Sequence, residues 1–103
     1  MSGAAALCRV DALRDGEVRE VGTGLIAWRS GREVRVFVNR CPHFRMPLND
    51  APGGFRIHGG LLMCVHHYSY FDFPHGVCVS GPCEGEPLET VAIRIEGESI
   101  YLD

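Results

Sequence analysis

The sequence lacks any apolar run long enough to cross a membrane, and it lacks the periodicity of a long amphipathic helix. Its longest apolar runs are about five residues, whereas a spanning helix needs about 20. Ten basic residues face thirteen acidic ones, for a net charge of -3, and no basic patch for a nucleic acid stands out. The N-terminal residues have neither the basic segment nor the apolar length of an export signal. We therefore predict a cytoplasmic protein with no membrane and no nucleic acid among its partners.

The chain also lacks repeats, linkers and an even number of cysteines. Five cysteines would leave one unpaired in a disulfide framework, and metal-bound thiolates in a reducing compartment account for them better. We expect Cys78 and Cys83 to remain thiols and Cys8 to be a small core residue. At 103 residues and 46% hydrophobic content, the chain predicts a single domain over residues 1–103 with one modest core.

Glycine and proline interrupt the sequence about every eight to twelve residues, a spacing typical of many short strands. Between them, apolar and polar residues alternate with the period of two that indicates a strand with one buried face. The sequence therefore predicts an all-β, antiparallel fold. Strands are expected at residues 7–10, 18–21, 25–28, 33–39, 55–58, 61–63, 70–73, 77–79, 91–95 and 100–102.

The residues that carry chemistry lie in two short segments. One is Cys41-Pro42-His43, and the other is Cys64-Val65-His66-His67, in which Cys64 and His67 form a Cys-x-x-His pair. Each pair offers one thiolate and one imidazole, and this ligand set suits either a tetrahedral zinc or an iron–sulfur centre. Of the remaining histidines, His66 is expected to be a surface or loop-packing residue, and His58 and His75 are expected to be polar residues next to turns, rather than ligands.

With their flanking residues, these segments resemble the Rieske iron–sulfur proteins, in particular the small soluble Rieske ferredoxins. The resemblance is carried by Cys41-Pro42-His43 with Pro47-Leu48, by Cys64-x-x-His67 with Phe71-Asp72, and by the later Gly81-Pro82 and Pro87-Leu88. It implies an antiparallel β-sandwich with a cluster-binding subdomain over about residues 40–83, built from two ligand loops and a covering Gly-Pro loop.

The resemblance also implies a cofactor and its ligands. One [2Fe–2S] cluster would have its inner iron on Cys41 and Cys64 and its outer iron on His43 and His67. In high-potential members a serine at the position of Ser69 donates a hydrogen bond to a bridging sulfide. Mixed Cys/His pairs on both loops favour this arrangement over a zinc finger, which usually brings both cysteines from one element.

The function implied by the resemblance is that of a non-catalytic, monomeric one-electron carrier between a flavin-dependent reductase and a terminal oxygenase. A Rieske oxygenase is excluded, because it needs a second domain with a mononuclear iron held by two histidines and a carboxylate. Two alternatives remain open. They are a Rieske-like accessory subunit of a reductase and a zinc-stabilised Cys2His2 interaction domain.

Two bulky residues replace glycines that the family usually has beside its histidines. Arg45 lies two residues after His43, and Tyr68 directly follows His67. Glycine at such positions permits a positive φ and a close approach of the backbone. We therefore expect either an altered loop geometry or side chains that point outward around the histidines.

Other departures concern the reduction potential. Phe71 replaces a tyrosine that bonds a cysteine sulfur in high-potential members, and Met46 and His66 replace a pair of cysteines that cross-links the two loops there. We therefore expect a potential in the lower half of the Rieske range of about -150 to +300 mV.

An apolar rim with one charge is expected around the histidines and would be a docking surface for redox partners. The alternative is that Phe44 and Tyr68 pack the two ligand loops together. The residues of this rim are Phe44, Arg45, Pro47, Tyr68 and Pro82.

Overall fold

The computed structural model describes residues 6–42, 45–49, 54–66 and 68–103, and nearly all regular structure in them is antiparallel β. One short 3-10 helix, Val10–Ala12, follows the first strand. The strands are β1 (Cys8–Arg9), β2 (Val18–Val21), β3 (Leu25–Ser30), β4 (Glu33–Val38), β5 (Arg56–His58), β6 (Leu61–Met63), β7 (Tyr70–Phe71), β8 (Cys78–Ser80), β9 (Thr90–Val91), β10 (Ile93–Glu96) and β11 (Ser99–Leu102).

These strands form a central sheet, a base sheet and a site sheet. The central sheet has the order β2-β3-β4-β9, the base sheet the order β1-β11-β10, and the site sheet the order β5-β6-β7-β8. The all-β antiparallel fold predicted from the alternation is confirmed. Within the described residues, no helix is long or apolar enough to cross a membrane.

The central sheet is buried on both faces, which its strand β3 shows most clearly. Ile26 and Trp28 belong to the core on the side of the site sheet, whereas Ala27 belongs to the core on the other side. Because successive side chains of a strand point to opposite faces, one strand contributes to both cores. The core on the base-sheet side is formed by Leu13, Val21, Ala27, Val34, Val36 and Ile100.

The site sheet packs on the central sheet through aromatic rings and one glycine. Trp28 contacts Phe73 edge-on, with ring centroids 5.2 Å apart. A Cβ on Gly76 would lie 2.6 Å from the fully buried ring of Phe37, so a glycine is needed where this turn meets β4. The N–H of Leu88 donates a hydrogen bond to the carbonyl of Gly76 at 2.8 Å. These contacts hold the site sheet in place beneath the ligand loops.

Several predicted strands differ from the observed ones by one or two residues at an end, as where the strand predicted over residues 70–73 ends at Phe71, and two further differences have a physical reason. The first predicted strand ends at Arg9 because the chain turns into the 3-10 helix, and Cys8 is half-buried at the edge of a core rather than within it. The strand predicted over residues 91–95 is broken at Ala92. Its first part pairs with β4 of the central sheet and its second with β11 of the base sheet, so the chain changes sheets there.

Candidate metal centre

The first ligand loop (residues 41–46) is closed by the backbone of its cysteine. The N–H of Cys41 donates to the carbonyl of Met46 at 2.8 Å, and the carbonyl of Cys41 accepts from the N–H of Arg45 at 2.8 Å. The side chain of Cys41 is fully buried. His43 and Phe44, which the loop also contains, lie outside the described residues.

The second ligand loop (residues 64–69) repeats the same pattern. The N–H of Cys64 donates to the carbonyl of Ser69 at 2.8 Å, and the carbonyl of Cys64 accepts from the N–H of Tyr68 at 2.9 Å. Cys64 is also fully buried. His67 lies outside the described residues, as does His43, the other predicted imidazole ligand. The two cysteines thus occupy equivalent positions in two loops of equal length.

The two ligand loops are fastened to each other and to the central sheet. The N–H of Val65 donates to the carbonyl of Leu48 at 3.0 Å, which joins the second loop to the chain just after the first. The side chain of Asn39, at the end of β4, accepts from the N–H of Leu48 at 2.9 Å and donates to the side chain of Asn49 at 3.0 Å. Sequence reasoning missed Asn39, because a lone asparagine after a strand is an ordinary turn residue.

Arg45 and Tyr68 keep the backbone conformation that a glycine would adopt. Their φ angles are +60° and +58°, in the left-handed region, where a side chain is disfavoured by about 1–2 kcal/mol per residue. Both side chains are exposed, Tyr68 at 64%. Of the two expectations stated for these residues, the structure therefore shows the exposed side chains, on two loops whose backbone hydrogen bonds match each other.

Ser69 is the described polar side chain of the site that is most deeply buried. It is 0% exposed, and among the described residues its hydroxyl has no hydrogen-bond partner. A buried hydroxyl without a partner is destabilising by about 1–3 kcal/mol, so such a group calls for an explanation. A sulfur acceptor bound between the ligand loops would supply the missing partner.

A third loop, the Gly-Pro loop (residues 81–86), lies against the second ligand loop and carries Cys83. Cys83 and Cys78 are buried and remain thiols, as predicted. Burial, together with the neighbouring Cys78, raises the pKa of the Cys83 thiol to about 12, although the Ser69 hydroxyl acts to lower it. Ser69 is thus close to Cys83 without a contact that meets hydrogen-bond geometry. The Cys83 thiol consequently stays neutral near pH 7.

The described part of the site fits an iron–sulfur cluster. Cys41 and Cys64 place two buried sulfur atoms on matching loops, and Ser69 adds a buried donor in need of an acceptor. Such a donor set suits iron and sulfide better than a hard cation such as Mg²⁺ or Ca²⁺. His58 and His75 are exposed and His66 is half-buried.

Most of the predicted rim can be placed. Arg45, Pro47, Tyr68 and Pro82 are exposed, whereas Phe44 lies outside the described residues. With 64% of its surface exposed, Tyr68 does not serve mainly to pack the two loops together. The exposed positions therefore favour an accessible rim.

Comparison with protein families supports the same interpretation. The protein-family model for the Rieske [2Fe-2S] domain matches residues 4–94, which is most of the chain. The chain belongs to the Rieske [2Fe–2S] domain family, and a [2Fe–2S] cluster is its cofactor. No curated protein matches the chain significantly.

Solved ferredoxin structures are similar over nearly the whole chain. The Sphingomonas yanoikuyae B1 ferredoxin has a TM-score of 0.77 and 27% identity and covers 98% of both chains. The ferredoxin of carbazole 1,9a-dioxygenase from Nocardioides aromaticivorans IC177 has a TM-score of 0.73 and 22% identity, covering 98% of this chain and 97% of its own. Likeness to ferredoxins, together with family membership, supports an electron-transfer role.

The left-handed backbone at Arg45 generates a stability prediction. We expect R45G to be more stable than R45A by about 1 kcal/mol, because both lose the exposed side chain but only alanine keeps the steric conflict at positive φ. Urea unfolding of the two apoproteins measures the difference. Equal midpoints would show that the loop does not hold this conformation.

Proposed function

We propose that this protein is a one-electron carrier whose cluster is held by Cys41, His43, Cys64 and His67, with Ser69 as a hydrogen-bond donor to a cluster sulfur. The observation that carries the proposal is the pair of matching loops. They bring two buried cysteines to equivalent positions beside a buried hydroxyl that has no partner among the described residues.

The protein residues define two ends of the site. Cys41 and Cys64 lie in an apolar core with Leu48 and Leu62, which keeps water from the thiolate end. The bound cluster would accept and release a single electron. Histidine ligands at the outer end replace two thiolates by neutral imidazoles, so less negative charge opposes reduction than with four cysteines. In this arrangement the histidine end is the route for the electron, because exposed rim residues lie next to the two histidines in the sequence.

For partners we propose a flavin-dependent reductase as donor and a terminal oxygenase as acceptor. Support comes from a similar structure, a complex of reduced oxygenase and oxidised ferredoxin in carbazole 1,9a-dioxygenase, with a TM-score of 0.74 and 22% identity. We further propose that the carrier is a monomer in the cytoplasm. The thiol state of Cys78 and Cys83 fits a reducing compartment.

Arg45 is the one charged residue of the rim, and its sign is opposite to that of the net charge of the whole chain. Arg40 and Arg45 line one cleft beside Cys41, and Arg56 lines another with Tyr68. Arg40 is paired with Glu89 at 3.1 Å, whereas Arg45 forms no ion pair with any described residue. An acidic patch around the acceptor's docking site would complement Arg45, although the chain as a whole carries a net charge of -3.

The cluster prediction is tested by metal and sulfide analysis with visible absorption and electron paramagnetic resonance. We expect a coloured protein with the iron and acid-labile sulfide of one [2Fe–2S] cluster per chain, and loss of both in C41S. C78A is the matched control, because it removes a buried thiol outside the ligand loops and should keep the cluster. A colourless protein with one zinc would support the interaction-domain alternative, and a folded, metal-free protein would support the accessory-subunit alternative.

A redox titration of the loaded protein tests the residues around the cluster. We expect a potential in the lower half of about -150 to +300 mV, since Phe71 cannot donate the hydrogen bond that a tyrosine would supply. Spectra recorded at set potentials give the midpoint directly. A midpoint close to the upper limit would contradict this expectation.

The role of the rim is tested by reversing the charge of Arg45. We expect R45E to slow electron transfer to the oxygenase and to weaken the dependence of the rate on salt, because a complementary charge mainly affects encounter. Stopped-flow oxidation of the reduced carrier measures the rate. R32E is the matched control, since Arg32 is exposed in the turn before β4, at the strand end away from the first ligand loop. Equal rates for the two variants would remove Arg45 from the docking surface.

A further inference from the structure

The two faces of the site sheet differ in burial. Leu62 pairs with Phe71, and both are fully buried, so one face belongs to the core. Because successive side chains of a strand point to opposite faces, their neighbours lie on the other, outer face. There Arg56 pairs with Met63 and Met63 with Tyr70, which places three side chains in a row across the sheet. Arg56 is exposed and the other two are half-buried, so this row is accessible to solvent.

The charge on the outer face is positive. Arg56 forms no ion pair with any described residue. His58, two residues further along β5, is exposed on the same face, with its ring centroid 6.4 Å from that of Tyr70. Residues 51–71 contain no aspartate or glutamate, although the whole chain has 13 of them and a net charge of -3. This stretch thus offers an acidic partner a cation and no competing carboxylate of its own.

A cleft of about 320 Å³ lies where the outer face meets the second ligand loop. This side cleft is lined by Arg56, Met63, Val65 and Tyr68. It adjoins the second ligand loop because β6 ends directly before Cys64. One guanidinium, two apolar side chains and an exposed phenol ring thus surround it. Such a lining suits a carboxylate that is followed or preceded by an apolar side chain.

We propose that the side cleft is a docking site for an acidic, partly apolar segment of the acceptor oxygenase, an inference that rests on the proposed function. Tyr68 is both a rim residue and a wall of the side cleft, so the rim continues into this surface. Arg45 on the first ligand loop and Arg56 beside the second then contact the partner at two separate places. Small contacts of this kind are typical of transient electron-transfer complexes.

The two parts of the side cleft contribute to binding in different ways. A carboxylate opposite Arg56 accelerates the encounter, and this contribution falls as salt screens the charges. Burial of an apolar side chain against Met63 and Val65 slows dissociation, and charge screening does not remove it. Charge and burial are therefore separable by the salt dependence of the electron-transfer rate.

Reversing the charge of Arg56 tests the electrostatic part. We expect R56E to lower the rate of oxidation of the reduced, cluster-loaded carrier by the oxygenase about tenfold at low salt. The difference from the wild type should shrink toward 1 M salt, where the screening length is about 3 Å. Stopped-flow spectroscopy measures the rates. R32E is the matched control, since it changes the net charge equally at an exposed arginine in the turn before β4.

The apolar part is tested by M63Q, which keeps the length of the side chain and makes it polar. We expect this variant to weaken binding of the oxygenase about threefold at every salt concentration, because apolar area is no longer buried. Saturation of the oxidation rate with oxygenase concentration measures binding. I95Q is the control, since Ile95 is an exposed apolar residue on β10 of the base sheet and lies outside the side cleft.

Four outcomes would overturn the proposal. They are equal rates for R56E and R32E, a loss of rate in R56E that persists in high salt, a shift of its midpoint potential large enough to account for that loss, and slower reduction by the reductase with unchanged oxidation. The last outcome would assign the side cleft to the electron donor instead. The proposed function fails separately, through a wild-type protein that holds no cluster, whereas all four outcomes leave the carrier function intact.

Discussion

The candidate site depends on the backbone hydrogen bonds that Cys41 and Cys64, the proposed cysteine ligands, each make within their own loop. Cys41 uses both its N–H and its carbonyl to close one loop, and Cys64 does the same in the other. With both groups engaged, the backbone conformation of each cysteine is set by the protein, and its side chain is directed into the core. The bond from Val65 to Leu48 then sets one loop relative to the other. Preorganisation of this kind is what a cluster with fixed geometry requires.

The rest of the fold supports these loops from three directions. Asn39 directly follows β4, and its side chain forms hydrogen bonds with Leu48 and Asn49. The central sheet is thereby connected to the chain that leaves the first loop. The aromatic contact of Trp28 with Phe73 holds the site sheet from below. Gly81 brings the Gly-Pro loop against Ser69 from the side. Because polar and apolar contacts both converge on the loops, their conformation is a property of the whole domain rather than of the two motifs.

Local sequence patterns predicted most strands and singled out Cys41 and Cys64. The features that the sequence did not predict depend on contacts between residues far apart in the chain. Alternation along β3 and β4 is visible in the sequence because it depends only on neighbouring residues. The break at Ala92 is not visible in the sequence, because Val91, Ile93 and Ile95 continue one alternating pattern. The strand is divided only because its two parts pair with different sheets. The equivalence of the two ligand loops was hidden as well, because Cys-x-His and Cys-x-x-His place their histidines at different positions in loops of equal length. The role of Asn39 depends on residues nine and ten positions away.

The left-handed conformation of Arg45 and Tyr68 connects stability with recognition. Two side chains at positive φ together destabilise the folded chain by about 2–4 kcal/mol relative to unstrained positions, a large fraction of the 5–15 kcal/mol that separates folded from unfolded domains. Neither side chain is buried, so packing in the core does not offset this strain. Glycine would adopt the same backbone without it. What these side chains add over glycine is therefore mainly what they present to solvent, a guanidinium on the first ligand loop and a phenol on the second. Strain retained at exposed positions of a rim is more consistent with contact to a partner than with the stability of the carrier itself.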